Sequence, residues 1–179
     1  MPFTETALKQ SIVYTGKLLK IRDDEVRLHN GETARREIVE HPGGVAVVAV
    51  TDDKKVVCVR QFRYAMKREL LEIPAGKLER GEEPLGAVKR ELSEETGYTA
   101  KTWRSLGEIF PTPGYCEEIL HLYLATDLIK GEAHPDENEF LSVCEFTFYE
   151  LNEKIMANEI SDAKTIVGIL IAGRILYAL

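Results

Sequence analysis

Apolar and polar positions change their spacing several times along this chain, and each change marks an element. Over the first forty residues apolar positions are scattered among charges. DDEVRLHNGETARREIVEHP holds two extended runs around Asn30-Gly31, a strong hairpin signal in which both turn positions are expected at positive φ. GVAVVAVTDDKKVVCVRQFR then places two β-branched runs on either side of a polar DDKK turn, and ELLEIPAG is a further extended run closed by Pro74 and Gly76. Beyond it the period lengthens. Leu85, Val88 and Leu92 recur at helical spacing, Pro84 suits the first turn and Gly97 the C-terminal cap. TWRSLGEIF and EEILHLYLATDL predict two strands around the turn PTPGYC, and the polar loop KGEAHPDENE leads to a last strand, FLSVCEFTF. Two helices close the chain, at about 149–159 and 162–178, with Ser161 as N-cap of the second. Strands outnumber helices without regular βαβ alternation, which predicts an α+β fold: a mixed sheet flanked by helices, plus an N-terminal antiparallel β region.

A length of 179 residues suits one core-forming domain with a small appendage. The division expected is an N-terminal β region, 1–42, and a main domain, 43–179. The N-terminal hairpin has few core residues of its own and should pair with a second chain. A net charge of −7 argues against nonspecific nucleic-acid or anionic-membrane binding, since no basic excess exists to neutralise phosphates. An acidic chain can still hold a phosphorylated small molecule where metal ions bridge the two anions. Cys58, Cys116 and Cys144 are odd in number and form no CxxC pair. Each lies in an apolar, strand-like run, so buried thiols are expected rather than disulfides or a zinc site. MPFTETALKQ lacks the features of a signal peptide, and TIVGILIAGRILYAL is short for a membrane span and carries Arg174. A core or interface helix and a cytoplasmic location are the corresponding expectations.

The helix 84–96 poses the chemical question. At about 100° per residue, Glu95 falls beside the Leu85–Val88–Leu92 stripe, Glu91 about 40° further round and Glu94 slightly beyond. Glu91 and Glu95 are like charges at i,i+4, destabilising by roughly 0.2–0.5 kcal/mol, and they lie near the helix end where the dipole disfavours anions. Something cationic should compensate them. A divalent ion suits an all-oxygen donor set with no His or Cys nearby; a solvated face with Lys89 and Arg90 as partners is the plainer alternative.

The segment resembles the Nudix box, G-x5-E-x7-R-E-U-x-E-E-x-G-U, where U is bulky and apolar. Gly76, Glu82, Arg90, Glu91, Leu92, Glu94, Glu95, Gly97 and Tyr98 fill its specified positions. Tyr98 departs slightly, since an aliphatic residue is commoner there. The resemblance implies a Nudix α/β/α sandwich whose loop–helix–loop holds Mg²⁺ or Mn²⁺, two or more ions per site, against a diphosphate. Carried over, Glu91, Glu94 and Glu95 would be metal ligands with the carbonyl of Ala75. Arg90 would orient the carboxylates and Glu82 brace the loop.

Features outside the box narrow the substrate. Pro113, sixteen residues beyond Gly97 and followed by Gly114, resembles the mark of the ADP-ribose pyrophosphatase branch, though Pro-Gly also makes ordinary turns. RQFR resembles that branch's QxR and makes Arg63 a phosphate contact, suited by its bidentate guanidinium; an ordinary surface arginine is the alternative. RREI resembles a segment that crosses a domain-swapped dimer, which would bring Arg36 to the adenine; an exposed strand arginine is the alternative, and the one this segment favours by itself. Glu72 in LEIPAG, near the metal site, is expected to be a further ligand contact. The general base would come from DENE, with Glu137 first and Glu139 second, where an acidic surface loop is the alternative. The reaction implied is hydrolysis of ADP-ribose to AMP and ribose 5-phosphate by a homodimer. A pyrophosphatase for another nucleotide sugar and a non-catalytic nucleotide-sugar sensor are the rival readings.

Overall fold

The computed structural model describes residues 3–134 and 140–177. They form two compact units: 3–43 with 110–119, and 44–109 with 120–134 and 140–177.

In the larger unit the decisive strand is β5, Gly44–Val50, buried at every position. Its odd residues, Val45, Val47 and Ala49, pack with Ala87, Val88 and Leu92 of helix α1, Pro84–Thr96. Its even residues, Ala46, Val48 and Val50, share a second core with Phe148 and Leu151 of α2, Phe148–Met156, and Ile169 and Ala172 of α3, Ala163–Tyr177. Burial on both faces explains why GVAVVAV has no polar alternation. The remaining strands are β6 (Lys55–Arg63), β7 (Arg68–Glu72), β8 (Ala75–Lys77), β9 (Tyr98–Ile109), β10 (Leu120–Lys130) and β11 (Leu141–Thr147). The sheet runs β11-β6-β5-β10-β9, with β7 on β6 and β8 on β5. The β5–β10 pair is parallel and the others antiparallel, so the sheet is mixed and the layers are α/β/α, as expected.

One edge of β5 is shared. β6 pairs with its end at Ala49 and Val50, then leaves to pair with β7. β8 takes the other end, Gly44 to Ala46, and between them the Val47 N–H donates to the Pro74 carbonyl at 3.0 Å. This split places Ala75-Gly76 beside α1.

The smaller unit is a four-stranded antiparallel sheet. β3 (Lys20–Arg27) pairs with β4 (Thr33–Glu40) on one edge, and with β1 (Thr6–Lys9) and β2 (Ile12–Thr15) on the other. The hairpin forms at Asn30-Gly31, but its geometry differs from the expected one. Gly31 has φ +89°, Asn30 is absent from the positive-φ residues, and Gly31 N–H donates to the Leu28 carbonyl. This is a three-residue loop with Gly at the left-handed position. Asn30 instead accepts the Glu32 N–H through its side chain at 3.0 Å. Residues 110–119 dock on β4, where Val39 N–H donates to the Tyr115 carbonyl at 2.7 Å.

Three further expectations are corrected. Asp162, not Ser161, caps α3: its carboxylate accepts the Thr165 N–H at 3.0 Å, whereas Ser161 accepts from Arg68. Leu85 is exposed and Ala87 takes its place in the buried stripe, because the face that α1 turns to Val45, Val47 and Ala49 is centred on Ala87, Val88 and Leu92. Cys58 is buried, with its thiol pushed up to about 12 by burial, but Cys116 and Cys144 are only part-buried, and Cys116 lies outside the named strands. No helix among the described residues is long and apolar enough to cross a membrane.

Gly97 closes α1 at φ +73°, and a Cβ there would lie 2.8 Å from backbone atoms of residues 131–133; Gly31 meets nothing within 4 Å. Both alanine substitutions carry the left-handed cost of about 1–2 kcal/mol, but only Gly97→Ala adds steric overlap of about 1–3 kcal/mol. Thermal unfolding should therefore show Gly97→Ala melting roughly 5 °C or more below wild type, and Gly31→Ala distinctly less. Equal losses would refute the packing argument.

Candidate active site

The split edge of β5 delivers a backbone turn to the polar flank of α1. Glu95, only 3% exposed, accepts the Ala75 N–H on Oε2 at 3.1 Å. Glu91 packs against Gly76 so closely that a Cβ at that position would overlap its carboxylate. Two acidic side chains from successive turns thus converge on Ala75-Gly76, and a side chain at Gly76 would have to displace the Glu91 carboxylate.

Arg90 is the cation that α1 itself supplies. Its Nε and Nη2 donate to Glu82 at 3.1 Å each, and its Nη1 to Glu91 at 2.8 Å and Glu94 at 2.9 Å. Glu82 also accepts the Glu79 N–H at 3.0 Å, which ties down the loop before α1. These bonds, the Glu82 pair above all, hold the Arg90 guanidinium above its ordinary pKa; the same bond from Arg90 holds Glu82 below the usual carboxylate range. Lys89 turns away towards the Trp103 ring, 5.9 Å from its centroid. Of the two expected partners, Arg90 alone serves the carboxylates.

The donors at this turn are hard oxygens held against one stretch of backbone, which fits a divalent cation such as magnesium or manganese. Among the described residues, no three His, Cys, Asp or Glu side chains stand arranged as a finished cage; Arg90 bridges Glu91 and Glu94 instead.

A second charged cluster adjoins the first. Arg63, at the end of β6, forks onto Glu72 of β7, Nε to Oε1 and Nη2 to Oε2, both at 2.7 Å. Glu72 is 1% exposed, and Lys164 of α3 donates to the same Oε2. Burial by itself would raise the Glu72 pKa, but the Arg63 bonds and the Lys164 charge outweigh it and leave the carboxyl below its usual range. Arg63 is held above its ordinary value by Glu72 first, and also feels the charges of Asp162 and Glu95. That coupling links the two clusters. Lys164 also donates to Asp162 at 3.0 Å, and the Thr165 hydroxyl accepts the Ile73 N–H at 2.9 Å. Sequence reasoning missed Asp162, Lys164 and Thr165. Their only signal was a lysine in the first turn of a helix, where the dipole disfavours a cation.

The other expected residues lie elsewhere. Arg36, on β4, donates to Glu5, with Nε to Oε2 at 2.9 Å, and to the Arg35 carbonyl. Pro113 and Gly114 sit in the 112–116 turn, closed by the Cys116 N–H donating to the Thr112 carbonyl at 3.0 Å. Glu137 and Glu139 lie outside the described residues.

Comparisons with known proteins place the chain in a family. The NUDIX domain model matches residues 40–166. The chain is 43% identical over 169 residues to the methanol dehydrogenase activator of Bacillus methanolicus, covering 93% of this chain and 91% of that one. It is 42% identical over 167 residues to an ADP-ribose pyrophosphatase of Bacillus subtilis (strain 168), covering 92% and 90%. A crystal structure of an ADP compounds hydrolase superposes with a TM-score of 0.86 over 97% of this chain and 95% of that one at 20% identity, a likeness of fold. With all nine box positions filled, Glu91 and Glu95 gathered on Ala75-Gly76, and a family match over residues 40–166, this chain belongs to the NUDIX family.

Proposed function

We propose that this chain hydrolyses the diphosphate of ADP-ribose, giving AMP and ribose 5-phosphate, with magnesium or manganese bound at the α1 flank. The observation that carries the reading is the adjacency of two devices. One is a carboxylate set gathered on Ala75-Gly76; the other is an arginine fork in electrostatic reach of Glu95. A cation site beside a phosphate-gripping guanidinium is what a diphosphate ester needs. The names of the two relatives point in different directions, towards a dehydrogenase activator and towards an ADP-ribose pyrophosphatase, and the site chemistry favours the second.

Within this reading Glu91, Glu94, Glu95 and the Ala75 carbonyl hold two or more divalent ions, and Arg90 keeps the carboxylates oriented. Bound there, the ions would supply positive charge to the phosphates and lower the pKa of a water. Arg63 grips a phosphate while Glu72 fixes its plane. Glu137 removes the proton of the attacking water, with Glu139 as second choice; Arg36, Pro113 and Gly114 shape the adenosine end.

The smaller unit supports a homodimer. Val26 is its one buried apolar residue among those described, while Ile12, Val13 and Tyr14 are each more than half exposed. Such a sheet cannot bury an adequate core alone, so residues 1–42 are assigned to dimerisation and 43–179 to the hydrolase domain. The cytoplasm is the proposed location, where nucleotide sugars are available.

Turnover of a nucleoside-diphosphate-sugar panel with Mg²⁺, products identified by mass, should give AMP and ribose 5-phosphate from ADP-ribose and nothing after chelation. Preference for another member of the panel would change the substrate, and binding without turnover would favour a sensor. Mg²⁺ should raise the thermal midpoint of wild type and have little effect on Glu95→Gln; the same shift in both would remove the metal from this flank.

Loss of the base and loss of the phosphate grip should leave opposite signatures. Glu137→Gln should lower kcat by about 10²–10⁴-fold with substrate affinity retained. Arg63→Ala should instead weaken binding, seen in KM and with a non-hydrolysable analogue. Full kcat in Glu137→Gln with loss in Glu139→Gln would move the base by two residues.

Sedimentation should show a dimer at micromolar concentration. Removing residues 1–42 should abolish it, and a monomeric wild type would contradict the assembly.

A further inference from the structure

We propose that Lys164 is a positioning residue for substrate binding: it holds Glu72 from the first turn of α3, and so sets how Glu72 presents Arg63 to a phosphate. The inference rests on the ADP-ribose reading above. Lys164 is placed against its own preferences. It sits near the positive end of a helix dipole, and its side chain is only 13% exposed, a rare state for lysine unless paired. Asp162 at 3.0 Å and the Glu72 carboxylate supply that pairing.

Glu72 thereby has two cations where one would neutralise it. Arg63 covers both carboxylate oxygens with Nε and Nη2, leaving Nη1 out of the pair, and its side chain is 41% exposed. A phosphate that draws on Arg63 weakens its hold on Glu72, and a buried carboxylate losing its cation is strongly destabilised. Lys164 remains on Oε2, so Arg63 can share its guanidinium without stranding that charge. Asp162, Lys164, Glu72 and Arg63 alternate in sign and sum to zero; the substrate phosphate is the next anion in the series. Thr165, one residue on, accepts the Ile73 N–H. The same helical turn thus also fixes the backbone two residues before Ala75.

The test is kcat and KM on ADP-ribose at saturating Mg²⁺ for wild type, Lys164→Met and Lys164→Arg, with thermal midpoints measured alongside. Lys164→Met should raise KM about tenfold with kcat within about threefold, as expected for lost ground-state binding, and Lys164→Arg should restore most of the KM. In an Arg63→Ala background Lys164→Met should add less than about twofold, because no guanidinium is left to present. If Lys164→Met does not fold, Lys164→Gln carries the same expectations. An unchanged KM in an active protein overturns the proposal, as does a fall in kcat alone or an equal KM increase without Arg63. A wild type inert on ADP-ribose removes the underlying reading and this inference with it.

Discussion

The shared edge of β5 is the constraint on which the rest of the larger unit depends. β5 is buried on both faces, so every backbone group along its edges needs a partner. β6 satisfies only the Ala49–Val50 end, because it leaves to pair with β7. The other end has to be satisfied by something else, and β8 with Pro74 does so. Ala75-Gly76 is therefore fixed by sheet hydrogen bonding, not by loop preference. α1, pinned to the same strand by Val88 and Leu92, has to bring its next polar positions, Glu91 and Glu95, onto that turn.

Charge compensation follows from this geometry. Glu95 is buried because its neighbours on the helix face are core residues, and it accepts the Ala75 N–H there. Glu91 and Glu94 are further round the helix and receive Arg90, which lies on the same flank at i,i+4 to Glu94. A single guanidinium is shared among Glu82, Glu91 and Glu94, so this flank gathers hard oxygen donors on one stretch of backbone. Such a donor set suits a divalent cation, which is the basis of the proposed metal site.

Local signals made much of this legible in the sequence. The run GVAVVAV announced a strand, though not the burial of both its faces, Pro84 and Gly97 bracketed α1 at its observed ends, and the glutamate spacing located the charged flank. What stayed hidden depended on partners far away in the chain. Leu85 reads as core until the angle of α1 against β5 is known, and Ala87 is too small to be chosen over it. Ser161 and Asp162 are equally good caps on paper; the choice falls to Asp162 because Arg68, ninety-three residues earlier, engages Ser161. Asn30-Gly31 was legible as a turn but not as a turn type, since the Asn30 side chain could take the Glu32 N–H and leave only Gly31 left-handed.

The Arg63–Glu72–Lys164 cluster shows why such a partner escapes a local reading. Arg63 and Glu72 are nine residues apart, on strands that pair with each other, so their meeting follows from the β6–β7 ladder. Lys164 is ninety-two residues from Glu72 and reaches it only because α3 packs on the face of the sheet opposite α1. The two faces of the sheet therefore contribute different charges to one region: acids from α1 and a cation from α3, with Arg63 and Glu72 at the sheet between them. Acids and cations on one helix pair with each other, as Arg90 does with Glu91 and Glu94. Lys164 comes from the other face and pairs with Glu72, so Arg63 meets both Glu72 and the charge of Glu95.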